Sequence, residues 1–380
     1  MIQTETPAAQ PRLIKCLRLT KVSVIPPVPD LGNNALFERR RPGNGAHSPN
    51  THWMDCYAAV YRRARGLNIE MGTVDVSPIK DADIIVYMEL PKSPDEVTEL
   101  KRKYPKLKAI LVLLETSLGA RYTFNRGNHK GFDAVITYKE SMVDNRRYFP
   151  MRPRAYYRDR IKTGLPFEQR RVGCLVGANR KMRYRSGLFT MRSGWKFSFQ
   201  DWIDYVFCPG QLIWYRSRVG IACAQYEVGT FDIYGEGWEM LPETRHIFRG
   251  VPTESTLNYI GNYRYYFAFE NHTSDCGLIS ERIWDALWGD VVPVYLGHTG
   301  LHRFVPHECF IDASQFETPK EMLDWLCCLS KDAWSKYREA GREFIRSDAI
   351  EKFLPEACAE EFLWPITAIA EATDQGKRNG

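Results

Sequence analysis

No apolar run in this chain approaches the roughly 18 to 20 residues that a membrane-spanning helix needs. The start, MIQTETPAAQPR, lacks the apolar core of a secretory signal. The expectation is a protein of the cytosol, or one lying against the inner face of a membrane. CxxC spacings, internal repeats and low-complexity tracts are also missing. Ten cysteines are scattered over 380 residues, and Cys327 and Cys328 are adjacent on an expected helix. Free, mostly buried thiols therefore fit better than a disulfide framework.

What is present is ordinary globular composition, 44% hydrophobic and 26% charged, on a chain long enough for about two domains. Disorder, collagen and coiled coil are excluded as overall classes. The net charge of +6 says little, but its distribution says more. Between Arg146 and Lys196 stand 15 basic and 2 acidic residues, an excess of +13 that leaves −7 for the rest. Nucleic acid, acidic lipid and a phosphorylated small molecule all suit such a segment, as does a solvated loop cluster with no partner.

Residues 1–12 read as a disordered tail. Leu17–Ile25 then has the alternation of a strand, stopped by PPVPD, and Asn33–Asn50 reads as a long loop. A helix over Trp53–Arg65, a strand at Asp83–Met88, a helix over Pro94–Lys103 and strands at Lys108–Leu114 and Phe132–Thr137 follow. Such alternation implies a parallel sheet covered on both faces, with ligands off the carboxyl ends of its strands. The Pro, Tyr and Arg-rich stretch Tyr148–Pro166 has no periodicity and is placed as the domain linker. Beyond it lie strands at Arg171–Val176, Phe231–Tyr234, Tyr265–Phe269 and Val291–Leu296, with helices over Glu281–Trp288, Lys320–Leu329 and Asp332–Arg346. The expected fold is α/β: two Rossmann-like, doubly wound domains, 13–155 and 156–350, facing a central cleft. Residues 351–380 add a helix packing across the domain boundary, and a tail.

Tyr265–Gly297, YYFAFENHTSDCGLISERIWDALWGDVVPVYLG, is the most informative stretch. It reads as strand, polar loop, helix and strand, with Glu270-Asn271 ending the first strand and Ser280-Glu281-Arg282 opening the helix. A helix amino terminus presents unpaired N–H groups and a positive dipole end, so Ser280 as cap with Arg282 beside it makes a phosphate pocket. Glu281 at the same end can accept hydrogen bonds from sugar hydroxyls. A capped helix carrying a surface charge pair reads the same.

This stretch resembles the donor-binding motif of the α1,3-fucosyltransferases, glycosyltransferase family 10. The pattern shared is apolar strand, FEN, a polar loop, a Thr/Ser-Glu-Lys/Arg triplet, an apolar helix and VPVYLG. Three further stretches resemble the family: Leu212–Trp238 with DIYG, Cys174–Lys181 with CLVGANRK, and Leu113–Tyr138 with LLETSLGARYTFNRGNHKGFDAVITY. The resemblance implies a GT-B enzyme that transfers fucose from GDP-fucose to an oligosaccharide hydroxyl with inversion, without an essential metal or prosthetic group. It implies Glu115 as general base, with Glu89, also at a strand end, as second choice. Arg218 and Arg282 match the diphosphate-binding cations, and Asn271 and Glu281 match contacts to the sugar nucleotide. Tyr234 and Gly235 stand where guanine or ribose would rest, and Ser280 and Asn179 complete the donor set. Arg216, two residues from Arg218, is expected as a solvated surface residue. Arg282 replaces the family's usual Lys and Leu278 a common aromatic residue, so the nucleotide is more strongly implied than the fucose. Another nucleotide sugar, or a non-catalytic glycan- or polyanion-binding protein of the same fold, are the alternatives.

Asp81-Ala82-Asp83 spells DxD but precedes its apolar strand, so it reads as a helix-to-strand turn rather than a metal site. His298, His302 and His307 lie in a glycine-containing loop without a completing ligand, and His298 is the one expected near the donor. The basic, aromatic run Arg146–Arg160 is expected against an anionic membrane surface, through Arg152, Arg154, Arg158 and Arg160, rather than on nucleic acid.

Overall fold

The structure is a computed structural model describing residues 13–38, 54–91, 93, 95–114, 121–152, 154–179, 212–273 and 277–378. Strands β1 (Thr20–Ile25), β2 (Ile69–Thr73), β3 (Ile84–Met88), β4 (Lys108–Val112), β5 (Ala134–Thr137) and β6 (Tyr148–Pro150) form one sheet, in the order β2-β1-β3-β4-β5-β6. Strands β7 (Arg171–Val176), β8 (Phe231–Tyr234), β9 (Tyr263–Phe269), β10 (Val292–Leu296) and β11 (Ile311–Asp312) form a second, in the order β11-β10-β9-β7-β8. Every pairing is parallel. Runs such as Ile84–Met88 are buried at every position, as a strand covered on both faces requires.

Helices supply the cover. In chain order they are α1 (Ala35–Glu38), α2 (Asp55–Gly66), α3 (Glu96–Lys103), α4 (Ile213–Cys223), α5 (Glu281–Trp288), α6 (Pro319–Cys328), α7 (Lys331–Arg346) and α8 (Pro355–Arg378). Their starts are written locally: Ser280 accepts from the Arg282 amide, Thr318 from Glu321 with Pro319 following, and Ser330 from Ala333. Although α8 follows the second sheet, its Ala359, Phe362, Leu363 and Ile366 pack in one core with Val22, Val24 and Tyr57 of the first domain. Trp364 also meets Phe149 edge to face at 5.2 Å. No helix among the described residues is long and apolar enough to cross a membrane.

Three expectations need correcting. The stretch read as a loop from Asn33 begins with α1, whose Ala35, Leu36 and Phe37 are buried, Phe37 stacking on Tyr61 at 5.1 Å. The rest of that stretch, 39–50, lies outside the described residues. Edge strand β2 was not expected, because Glu70 and Gly72 interrupt its apolar run, and β11 is only two residues long. The stretch placed as linker opens with β6, the last strand of the first sheet.

The linker arginines have partners within the chain. Arg152 pairs with buried Glu361 of α8 at 3.0 Å, and Arg160 with buried Asp55 of α2 at 3.1 Å. Arg154 donates to Tyr57 Oη at 2.7 Å, and Arg158 to the Ser347 carbonyl at 2.8 Å. Three of these arginines thus bind the segment to α2 and α8 on the first domain, and Arg158 binds it to the second. Arg180–Lys196, the rest of that run, is outside the described residues.

At the opposite end of the second sheet from its strand carboxyl termini, Asp290 is a hub. Its carboxylate accepts from Arg170, Arg338, Arg342 and the Gly164 amide, all within 3.1 Å. Burial alone would raise its pKa, but the Arg338 and Arg342 bonds outweigh it and pull the carboxyl down to about 2. The unfolded value is near 3.9. Its contribution to stability is therefore complete above about pH 4 and is lost as pH falls towards 2. Asp290→Asn suits the left-handed backbone there (φ 60°) but removes the charge. It should cost about 3 kcal/mol at pH 7 by leaving buried Arg170 unpaired, and the melting temperatures of mutant and wild type should converge between pH 5 and pH 2.

Candidate active site at the strand ends of the second sheet

In an open parallel sheet the crevice forms where successive connections leave in opposite directions. Here β7 pairs with β8 on one side and β9 on the other, so the crevice lies beyond the carboxyl ends of β7 and β9. The turn after β7, Gly177-Ala178-Asn179, lies against the turn after β8. Gly235 has φ 122°, and a Cβ there would stand 2.6 Å from Gly177 backbone atoms. Only glycine allows both the conformation and the contact. The Asn179 amide then donates to the Glu236 carbonyl at 2.8 Å, closing the two turns on one another.

Helix α4 approaches the same point. Its buried stripe, Ile213, Arg216, Ser217 and Gly220, recurs at helical spacing, so Arg216 points inward and is only 4% exposed. Arg216 Nη2 donates to Asn271 Oδ1 at 2.8 Å and to the carbonyls of Phe269 and Glu270 at 3.1 and 3.3 Å, at the end of β9. Ser217 Oγ bonds Asn179 Oδ1 at 2.7 Å. Arg218, 200° further round the helix, is exposed. Arg216, expected as a solvated surface residue, is instead built into the crevice wall, while Arg218 is solvent-accessible.

The amino terminus of α5 forms the third side. Buried Glu270 accepts from the Ser280 amide at 2.8 Å and lies 3.5 Å from Arg282 Nη1, which also donates to Ser280 Oγ at 2.9 Å. Burial raises the Glu270 carboxyl above its ordinary value, and Arg282 and the Ser280 bond oppose that. Arg282 is held charged by Glu281 and Glu270 against its own burial. Glu281 is exposed at the first helical position. Tyr234 turns away from solvent, its hydroxyl 2.8 Å from that of Tyr263 and its ring tilted on Tyr259 at 4.8 Å. It supports the strand end as part of the sheet packing.

Of the residues expected from sequence, Asn179, Gly235, Asn271, Ser280 and Arg282 come together through this chain of contacts. Glu115 lies outside the described residues, but the strand end leading to it does not. The first sheet turns its carboxyl ends to the crevice: the Tyr138 carbonyl after β5 abuts Gly277, where a Cβ would come within 2.1 Å, and Glu140 pairs with Arg303 at 3.0 Å. His298, after β10, lies at the same junction, 3.3 Å from Arg303 Nη2. Its imidazole is pushed below the ordinary range by burial and then by Arg303. The Asp81-Ala82-Asp83 turn is structural, Asp83 accepting from the Lys21 amide at 2.9 Å and pairing with Arg18 at 2.8 Å. Among the described residues no group of three or more His, Cys, Asp or Glu is placed to hold a metal ion. The residues missed from sequence, Arg216, Ser217 and Glu270, had a legible signal: the 3.6-residue stripe of α4 groups the first two with Ile213 and Gly220.

Residues 217–344 match the family model described as Glycosyltransferase family 10 (fucosyltransferase) C-term. Over 104 residues the chain is 34% identical to 4-galactosyl-N-acetylglucosaminide 3-alpha-L-fucosyltransferase FUT6 of Pongo pygmaeus, covering 27% of this chain and 26% of that one. It is also 34% identical, over the same length and shares, to 3-galactosyl-N-acetylglucosaminide 4-alpha-L-fucosyltransferase FUT3 of Homo sapiens. The match thus spans about a quarter of these relatives. Among solved structures, an α1,3-fucosyltransferase superposes with TM-score 0.51 at 12% identity, over 98% of this chain and 93% of that one. Anabaena Alr3699/HepE in complex with UDP and glucose superposes with TM-score 0.50 at 9% identity, over 92% and 100%. At such identities the likeness is one of fold, the two-sheet GT-B architecture.

Among the described residues, Arg216 and Arg282 are the guanidinium groups held at the end of β9 and the start of α5. Charge-assisted hydrogen bonds of this kind are worth about 1.5–3 kcal/mol, or roughly ten- to hundredfold in affinity. Arg216→Ala should weaken inorganic pyrophosphate binding by at least about tenfold, and Arg218→Ala by less than about twofold, in parallel calorimetric titrations.

Proposed function

We propose that this chain, whose residues 217–344 match the model of glycosyltransferase family 10 and whose two sheets form the GT-B fold, transfers fucose from GDP-fucose to a hydroxyl of a glycan, with inversion. The observation that carries the reading is the buried Arg216 anchored across the end of β9, beside the start of α5. A departing nucleoside diphosphate gains negative charge in the transition state. Fixed guanidinium groups at that point, Arg216 and Arg282, oppose it without needing to reorganise. They take the part that a divalent cation takes in metal-dependent transferases.

The Ser280-capped start of α5 adds backbone N–H groups and the positive end of the helix dipole. The Gly177–Asn179 and Gly235 turns form a small-residue shelf on which the nucleoside fits, and Asn271 and Glu281 stand towards the sugar. Glu115 would take the proton from the acceptor hydroxyl as that oxygen attacks the anomeric carbon and the bond to the diphosphate breaks. Attack from the face opposite the leaving group inverts the configuration.

Calorimetry with GDP, UDP, CDP and ADP tests the nucleotide, GDP being expected to bind at least about tenfold tighter than the others. Turnover then separates an enzyme from a binding protein. Purified protein should release GDP from GDP-fucose, and Glu115→Gln should lower transfer by about 10²–10⁴-fold while donor affinity is retained. Preference for UDP, or binding with no turnover on a broad acceptor panel, would replace this reading with another nucleotide sugar or with a non-catalytic module.

A further inference from the structure

Six non-glycine residues among those described have positive φ. Five of them, Asn33, Asn34, Asn68, Asn145 and Asp290, are Asn or Asp at 52–61°, the left-handed conformation their short polar side chains tolerate. Glu89 is different in kind, with φ 101°. A glutamate gains nothing locally from that conformation, so the residue is held there by what surrounds it.

What surrounds it is the exit of β4. Glu89 follows β3 directly, and its amide donates to the Val112 carbonyl at 2.9 Å, one rung past Met88 paired with Val112. The ladder between these strands begins with the Lys108 amide on the Asp83 carbonyl. Stepping by two along each strand, as a parallel ladder does, would bring the Leu114 amide to the carbonyl of Glu89. Its carboxylate accepts instead: Leu114 N–H donates to Glu89 Oε1 at 2.5 Å. The twisted backbone lets a charged side chain replace the last neutral rung, with a stronger bond than the one it displaces.

We infer that Glu89 is a positioning residue: its carboxylate, made available by the left-handed turn, holds the Leu114 amide and so fixes the last peptide at the exit of β4. This rests on the transfer reading above, in which the next residue after Leu114 is the base. A carboxylate acting on an acceptor hydroxyl must be placed to a fraction of an ångström, and an error near 1 Å costs roughly 10²-fold in rate. Glu89 acts through the Leu114 amide and leaves the donor crevice of the second sheet untouched.

The test uses full-length protein with three substitutions. Glu89→Gly removes the side chain and accepts the backbone conformation. It should melt at or above the wild-type temperature and bind GDP within about twofold of wild type, yet lose about 10²-fold in kcat with little change in KM for the donor. Glu89→Gln and Glu89→Met form a second pair of similar shape, of which only Gln keeps an oxygen for the Leu114 N–H. Gln should bring kcat back to within about fivefold of wild type, whereas Met should match Gly. Equal kcat in Gln and Met, or wild-type kcat in Gly, overturns the positioning role and leaves the transfer reading standing. A wild-type protein that turns over no nucleotide sugar overturns the transfer reading and this inference with it.

Discussion

A single guanidinium, that of Arg216, holds the end of β9 in place. Strand ends in a parallel sheet leave carbonyls without ladder partners, and burying them unpaired is costly. Arg216 donates to two such groups, Phe269 and Glu270, and orients the side chain of Asn271 as it does so. The same contact docks α4 against the sheet, and with α4 comes Ser217, which fixes Asn179 on the neighbouring strand end. Removing the arginine would therefore loosen both walls of the crevice at once.

The second constraint is the way the domains are joined. A chain that crosses between two sheets and returns needs its crossing segments held on both sides, and here arginine does the holding. Arg152 and Arg160 find buried carboxylates on α8 and α2, so the linker, the returning helix and the first domain share one set of ion pairs. Near the crevice, contacts among the described residues include Gly277 against the Tyr138 carbonyl and the half-exposed pair Glu140–Arg303.

Most of the fold could be read from sequence because its strands are buried on both faces and so appear as continuous apolar runs, Ile84–Met88 and Arg171–Val176 among them. What escaped was at the margins. The edge strand β2 carries Glu70 and Gly72, and β6 is hidden in a proline-rich, arginine-rich stretch. The site was legible where it depends on local pattern, at the Ser280 cap and the turn glycine Gly235. Arg216 and Arg218 have the same chemistry, and what separates them is the helical stripe Ile213, Arg216, Ser217 and Gly220, which turns the first inward. The partners of the linker arginines were hidden because the acidic residues stand 105 and 209 positions away.

The central claim is that a nucleoside diphosphate sits over the carboxyl ends of β7 and β9. Amide hydrogen exchange with and without GDP tests it most directly, because the crevice is lined by backbone as much as by side chains. Slowed exchange should appear together at Gly177–Asn179, Gly235–Gly237, Asn271 and Ser280–Arg282, with the Asp290 end of the same sheet unchanged. Protection confined to the first domain, or none at these strand ends when GDP is bound, would contradict the account.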